Sequence, residues 1–237
     1  MKVLITSGGT KIRIDRVRDI TNMSSGTFGS KIAKEFLKLG HEVVFIKAKY
    51  SKSPVSINID LTRGYDVGQF SSWYNETVKL MERYSEHEYT TYEHYSEMLK
   101  FLIGVEQPDL ILLAAAVSDY GVENYFDGKI RSNDLFTIKL TQLPKVINHM
   151  RDWAKPSAKL VGFKMLVDSK PHELLAAANR SLTENNLDMV VANDLQDIKD
   201  NNHKIKLVSK NGVVNYDTDP TDQNFLAKMV VSHSLLL

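Results

Sequence analysis

The chain contains no cysteine, which excludes a disulfide framework, a thiolate metal site and a cysteine nucleophile. Its 30 Lys and Arg nearly balance its 29 Asp and Glu, leaving a formal net charge of +1. Such a balance gives no electrostatic reason to expect nucleic-acid or membrane-surface binding. The opening Met1-Lys-Val-Leu-Ile-Thr6 lacks the apolar core of a secretion signal, and no apolar run approaches membrane-spanning length. A cytoplasmic protein is therefore expected. Two common phosphate-binding signatures are also missing. Gly-x-Gly-x-x-Gly does not follow the first apolar strand, and there is no Gly-Lys-Ser/Thr. The 7 histidines show no metal-ligand spacing and read as surface or helix residues. No metal held by protein ligands is expected, and there is no internal repeat or low-complexity linker.

What is present is concentrated near the start. Val3, Leu4 and Ile5 form an apolar strand that runs into Ser7-Gly-Gly-Thr10. Asp15-Arg-Val-Arg18 and Asn22-Met-Ser-Ser-Gly-Thr-Phe-Gly29 follow, and the last of these leads directly into an amphipathic pattern. Glycines let backbone N–H groups approach a ligand closely, and a helix N-terminus favours negative charge. Two glycine turns beside one strand are phosphate-binding architecture of a kind other than the two missing signatures.

At 237 residues the chain has the length of one large α/β domain. Val3–Ile5 and Val43–Ile46 read as strands. Between them Phe28, Ile32, Phe36 and Leu39 repeat at helical spacing, and Gly40 stands where a C-terminal glycine belongs. Leu110–Ala116 is a continuous apolar run, as in a strand buried on both faces of a parallel sheet, and Leu160–Phe163 and Met189–Ala192 are similar. Helical patterns over Leu143–Trp153 and Pro171–Leu182 separate them, and Phe225, Leu226, Met229 and Val230 read as a closing helix. The alternation predicts a doubly wound, mostly parallel Rossmann-like sheet in a single domain over 1–237. Two stretches depart from it. Residues 204–217 carry Asn211-Gly212 between alternating segments, a hairpin signal. Residues 50–95 are polar and rich in Tyr and Trp, and read as an insertion, an interface or a lid.

Further blocks follow the opening in order: Ala114-Ala-Ala-Val-Ser-Asp-Tyr120, Gly128-Lys-Ile130, Leu143-Pro-Lys-Val-Ile147, Val161-Gly-Phe-Lys164 and Val191-Ala-Asn-Asp194. Together with Asp15-x-Val-Arg-x-Ile-Thr-Asn-x-Ser-Ser-Gly-x-x-Gly29, this ordered set closely resembles the phosphopantothenate–cysteine ligases (phosphopantothenoylcysteine synthetases) of coenzyme A biosynthesis, in a stand-alone form. The resemblance implies a ligase that activates the carboxylate of 4′-phosphopantothenate with a nucleoside triphosphate, CTP or ATP. The acyl-nucleotide and pyrophosphate form first; the amine of L-cysteine then attacks and releases the nucleoside monophosphate. Mg²⁺ is expected with the triphosphate rather than in a protein cage. No protein nucleophile is needed, in keeping with a chain without cysteine.

The resemblance also implies residue roles. Gly8, Ser24, Gly26 and Gly29 line the nucleotide, a role that two glycine turns beside one strand favour independently. Phe163 and Asn193 end predicted strands and contact the nucleotide. Asn22, by itself a turn or N-cap asparagine, contacts the acyl group; its amide can donate to a carbonyl without adding charge. Lys129 assists acyl-nucleotide formation, since a cation there can follow charge on the transferring phosphoryl group. Arg18 reaches the phosphate of phosphopantothenate, where a guanidinium fork suits the anion. Ala115, Ala116 and Asp119, at the carboxyl end of a predicted central strand, contact the substrate. A homodimer is implied, with Arg18 or Asn22 of one chain completing a pocket lined by Ala115, Ala116, Asp119 and Lys129 of the other. The 204–217 hairpin and the 120–134 loop are the expected dimer elements. Two other functions are compatible with the pattern: a nicotinamide-dependent Rossmann oxidoreductase and a non-catalytic nucleotide-binding scaffold.

Overall fold

Unbroken apolar runs form the centre of the sheet because both faces there are covered. In the computed structural model, which describes residues 1–56, 66–132, 136–199 and 203–237, Val3, Leu4 and Ile5 of β1 (Lys2–Ser7) have no solvent exposure. Leu4 points into one apolar cluster, while Val3 and Ile5 point into the other. A short hairpin of β2 (Lys11–Arg13) and β3 (Asp19–Thr21) follows, then α1 (Thr27–Lys38) and β4 (Glu42–Ala48). Next come α2 (Val67–Met81), β5 (Tyr84–Tyr89), α3 (Tyr92–Glu106) and β6 (Leu110–Leu113). The second half contains β7 (Tyr120–Val122), β8 (Leu140–Gln142), α4 (Met150–Trp153), β9 (Lys159–Leu166), α5 (Pro171–Glu184) and β10 (Met189–Asp194). It closes with α6 (Leu195–Lys199), β11 (Ile205–Ser209), β12 (Gly212–Tyr216) and α7 (Phe225–Ser234).

Eight strands make one sheet in the order β12-β11-β10-β9-β6-β1-β4-β5. From β10 to β5 every pairing is parallel; β11 and β12 run antiparallel at the other edge. Leu99 of α3, Met150 of α4 and Ala178 of α5 pack on one face, while Phe36 of α1, Leu80 of α2 and Val230 of α7 pack on the other. This is the doubly wound, mostly parallel α/β sheet expected from the alternation of strand and helix patterns. Among the described residues no helix is long and apolar enough to cross a membrane.

Local differences from the sequence reading have local causes. α1 starts after Gly26 at φ 73° and ends before Gly40 at φ 86°, both left-handed. Leu39 does not join the buried face: it follows the last helical residue and is 60% exposed, and Ala33 and Leu37 are buried in the helix instead. The pattern over Leu143–Trp153 yields only a 3-10 turn (Val146–His149) and the single turn of α4. Pro144 disfavours helical backbone at Leu143 and delays the start. Ladder pairing of the 110–116 run stops at Leu113, and the chain then makes one isolated parallel bridge from Ala116 to Gly9.

The aromatic-rich stretch contributes a strand to the sheet. Residues 57–65, with Tyr65, lie outside the described residues, but α2 and β5 form a crossover that adds β5 beside β4. Tyr89, Tyr92 and Tyr95 are all buried at this edge, and Tyr89 meets Tyr95 edge-on at 5.0 Å. The predicted hairpin is β11–β12, with Ser209 opposite Gly212 and Lys210-Asn211 at the turn.

Candidate active site at the switch point of the sheet

The chain runs outward from β1 to β4 and β5, then returns through β6 to the other side of β1. The order of winding therefore reverses between β1 and β6, and the carboxyl ends of these strands border a crevice where open α/β sheets take ligands. Gly8 and Gly9 leave β1 here, and Gly26 and Gly29 bring the start of α1 against it. Ser7 Oγ donates to the Gly26 carbonyl at 3.0 Å, and a Cβ on Gly29 would sit 2.6 Å from that same oxygen. A side chain at Gly26 or Gly29 would strike Ser7 and push helix and strand apart. The first turn of α1 contains no acidic residue, and its N-cap is a glycine, with only Ser25 Oγ accepting from Thr27 N–H at 3.4 Å. An anion is therefore electrostatically favoured at that end of the helix.

Asn22 lies in this crevice. Thr21 Oγ1 donates to the Thr10 carbonyl at 3.1 Å, which returns β3 to the end of β1. Asn22 Nδ2 then donates to the Ala116 carbonyl at 2.9 Å, and Thr10 N–H shares that acceptor at 3.1 Å. One amide hydrogen is thereby used, while the second hydrogen and Oδ1 have no partner among the described residues. Ala115 N–H is held by Thr6 Oγ1 at 3.2 Å, and Ser118 N–H by Thr10 Oγ1 at 2.9 Å. The Asp119 carbonyl accepts from Leu143 N–H at 2.9 Å, and its side chain is exposed. A cavity of about 300 Å³ adjoins Gly9, Asn22, Ser24, Ala48 and Ser51, with Lys11 and Lys49 at its margin.

These contacts join the Asn22 and Ala116 sides of the expected site within one chain. Asn22 meets Ala116 of its own chain, because the β2–β3 hairpin folds back on β1. Arg18 also stays within its chain. Its Nη1 pairs with Asp15 Oδ2 at 2.5 Å, and both terminal nitrogens contact the Ile130 carbonyl at 3.3 Å. Asp15 has a fully buried side chain. Oδ1 accepts from the N–H of Val17 and Arg18 at 2.8 and 2.7 Å, and Oδ2 accepts from Ile130 N–H at 3.2 Å. Burial pushes the Asp15 carboxyl upward, but the N–H groups of Val17, Ile130 and Arg18 and the Arg18 guanidinium outweigh it and hold it below its ordinary value. Lys129, between Gly128 and Ile130, is exposed and has no partner among the described residues. Residues 133 and 134 of the 120–134 loop lie outside the described residues.

Phe163 and Asn193 lie farther along the carboxyl edge, on β9 and β10. Phe163 meets Phe28 of α1 edge-on, with ring centroids 6.2 Å apart. Phe28 in turn meets His203 at 5.1 Å. Sequence reasoning gave His203 no role, yet burial lowers its pKa below the ordinary value, and its Nε2 is buried without a partner among the described residues. A cavity of about 210 Å³ adjoins Phe28, Lys31, His203 and Thr218. Asp194, the last residue of β10, was also not singled out. Its Oδ2 accepts from Ser169 N–H and Oγ at 2.9 and 2.7 Å, and its Oδ1 from the N–H of Gln196 and Asp168 at 2.9 and 3.1 Å. It ties the turn after β9 to the end of β10. The sequence signal for it was its place in Val191-Ala-Asn-Asp194. Gly9 was passed over too; its missing Cβ makes room for Asn22, since a Cβ there would lie 2.5 Å from the Asn22 carbonyl oxygen.

A doubly wound sheet with a glycine-lined helix start and an amide at its switch point defines a Rossmann-like ligand-binding domain. The chain belongs to the DNA/pantothenate metabolism flavoprotein C-terminal domain family, whose model matches residues 1–66 and 77–235. It is 32% identical over 210 residues to the coenzyme A biosynthesis bifunctional protein of Thermococcus kodakarensis, covering 88% of this chain and 45% of that protein. It is 29% identical over 240 residues to phosphopantothenate–cysteine ligase 2 of Oryza sativa subsp. japonica, covering 89% of this chain and 72% of that one. The crystal structure of the DNA/pantothenate metabolism flavoprotein from Streptococcus pneumoniae superposes with a TM-score of 0.78 at 27% identity, over 100% of this chain and 99% of that one. The chain spans about half the length of the bifunctional relatives it matches, 45% in the archaeal protein. The family resemblance drawn from the ordered motifs is the one these matches support.

Proposed function

We propose that the protein is a phosphopantothenate–cysteine ligase, joining 4′-phosphopantothenate and L-cysteine through an acyl-nucleotide formed with CTP or ATP. The observation that carries this reading is the Asn22–Ala116 hydrogen bond of 2.9 Å. It fixes an uncharged donor, with one amide hydrogen to spare, where a carboxylate held at the switch point would become an acyl group. The glycine-capped start of α1, without an acidic residue, suits the triphosphate, and the Phe28–Phe163 pair suits the adjoining base, with Asn193 assigned to contact it. Ser24 and the glycines at 8, 26 and 29 line the path between them. Ala115, Ala116 and Asp119 border the substrate side. Lys129, on an exposed loop, is free to follow charge on the transferring phosphoryl group. Arg18 is assigned to the phosphate of phosphopantothenate, which its Nε and second Nη2 hydrogen, without partners among the described residues, are free to meet.

Among the described residues no group of three or more His, Asp or Glu is placed to hold a metal. In this reading Mg²⁺ arrives with the triphosphate and neutralises part of its charge, while the chain orients the carboxylate and excludes water. We also propose a homodimer. Tyr125, Phe126, Ile138 and Leu140 are exposed beside β7–β8, and Val213 and Val214 are exposed on the edge strand β12. A dimer by sedimentation that dissociates in Leu140→Asp is expected; a wild-type monomer at micromolar concentration would refute it. The activity test is pyrophosphate release with CTP and ATP side by side. Release should require phosphopantothenate, and phosphopantothenoylcysteine should appear only when cysteine is added. Folded protein that yields no product with either nucleotide would overturn the assignment.

A further inference from the structure

The loop carrying Lys129 leaves the body of the molecule after β7 and returns as β8. Between them it is fastened to the tip of the β2–β3 hairpin. Phe126 N–H donates to the Ile14 carbonyl at 3.1 Å, and Arg16 N–H donates to the Gly128 carbonyl at 3.0 Å. Arg16 Nε reaches Asp127 at 2.8 Å in an exposed pair, of a kind that contributes little by itself. Asp15 is fully buried in this seam, and its two oxygens have separate tasks. Oδ1 closes the Asp15–Arg18 turn through the N–H of Val17 and Arg18. Oδ2 takes Arg18 Nη1 and, across the seam, Ile130 N–H. The residue after Lys129 is thus bonded through its N–H to Asp15 and through its carbonyl to Arg18. Gly128, the residue before Lys129, is bonded to Arg16. Both peptide neighbours of Lys129 are held, while its own side chain has no partner among the described residues.

We propose that Asp15 is a positioning residue, a buried latch that sets the Lys129 loop against the Arg18 turn for acyl-nucleotide formation. This rests on the ligase reading given above. A lysine on a loop fastened at both sides reaches its target without ordering the loop at the moment of reaction, which is where pre-positioning lowers a barrier. The same seam joins the two cations assigned to opposite ends of the acyl substrate, Arg18 and Lys129, so a shift of one moves the other.

Asp15→Asn separates the two tasks of the carboxylate. An amide keeps one oxygen for the turn but places an NH₂ where Oδ2 accepted, so the bonds to Arg18 Nη1 and Ile130 are lost. Hydrogen–deuterium exchange in peptides spanning 126–132 should rise in this variant while exchange in β1 and β6 stays at wild-type level. Single-turnover formation of the acyl-nucleotide without cysteine should fall about 10²-fold, as expected when a catalytic group is misplaced by about an ångström. The attack of cysteine on saturating supplied acyl-nucleotide, a step not assigned to Lys129, should fall by far less than acyl-nucleotide formation does. Unchanged exchange at 126–132 would overturn the latch. Formation within about twofold of wild type despite a loosened loop would overturn its link to catalysis. If Asp15→Asn does not fold, Ile130→Pro removes the same hydrogen bond from the other side and is read in the same way. Wild-type protein that forms no acyl-nucleotide would sink the ligase reading instead, while the exchange measurement would still test the latch.

Discussion

Asn22 and Ala116, 94 positions apart in the chain, are joined by a hydrogen bond of 2.9 Å from the asparagine amide to the alanine carbonyl. The carbonyl lies three residues beyond the central strand β6 and the amide one residue beyond the hairpin arm β3, so the pair fixes one wall of the crevice at the switch point. Substituting Asn22 should therefore disturb chemistry more than folding. Asn22→Ala is expected to slow turnover by about 10²–10³-fold, the usual loss for one donor to a developing oxyanion. Lys129→Gln should instead suppress formation of the acyl-nucleotide. Mass spectrometry of reactions without cysteine distinguishes the two steps. Wild-type levels of intermediate in Lys129→Gln would contradict the role given to the lysine.

Gly9 tests the same wall from behind. A Cβ there would approach the Asn22 carbonyl oxygen to 2.5 Å, so Gly9→Ala must displace the Asn22 backbone. We expect a loss of activity of about 10²-fold, with far-UV circular dichroism and the sheet intact. Retention of full activity would show that the position of Asn22 is not critical.

Tyr89 tests the reach of the edge strand into the site. Its hydroxyl, fully buried, donates to the Ser7 carbonyl at 2.9 Å, and Ser7 Oγ donates to the carbonyl of Gly26, the residue just before α1. Tyr89→Phe leaves that buried carbonyl short of a donor, at a cost of about 1–3 kcal/mol. Urea denaturation should show this loss, and KM for the nucleotide should rise while KM for phosphopantothenate holds. Equal stability of variant and wild type would refute the argument.

Asp194 sets an acid-dependent contribution to stability. Burial pushes its carboxyl upward, but the Ser169 hydroxyl and the N–H groups of Ser169, Gln196 and Asp168 outweigh it and hold the pKa below the ordinary value. A carboxyl lowered on folding stabilises fully above its unfolded pKa, about 3.9, and loses that contribution as pH falls through the folded value. The difference in Tm between wild type and Asp194→Asn should be constant from pH 7 to about 5 and shrink below about 4. A difference that stays constant down to pH 3 would show that the carboxylate does not titrate in this way.

Much of the architecture is legible in short-range pattern. The apolar runs at β1, β4, β6, β9 and β10 are buried on both faces, and such strands announce themselves without alternation. Asn211-Gly212 marked its hairpin. Glycine and serine around the start of α1 marked the anion-suited turn. The edge strand β5 was not legible. Its sequence, Tyr84-Ser-Glu-His-Glu-Tyr89, is mostly polar because it lies at the margin of the sheet, where only Tyr89 is fully buried. The aromatic residues around it resembled an insertion because their buried partners, Ser7 and Thr6 of β1 and Pro144, are distant in sequence.

The order of strands and helices, the two-sided core and the turn beside β1 were determined by the sequence itself, since periodicity, glycine placement and burial are local consequences of residue type. Tertiary structure alone decided which groups meet. Asp15 and Ile130 are 115 positions apart, and Tyr89 and Ser7 are 82. Nothing in either segment specifies such a partner. A buried carboxylate or a buried carbonyl must find donors wherever the packing brings them, and that is settled only when the sheet closes around β1.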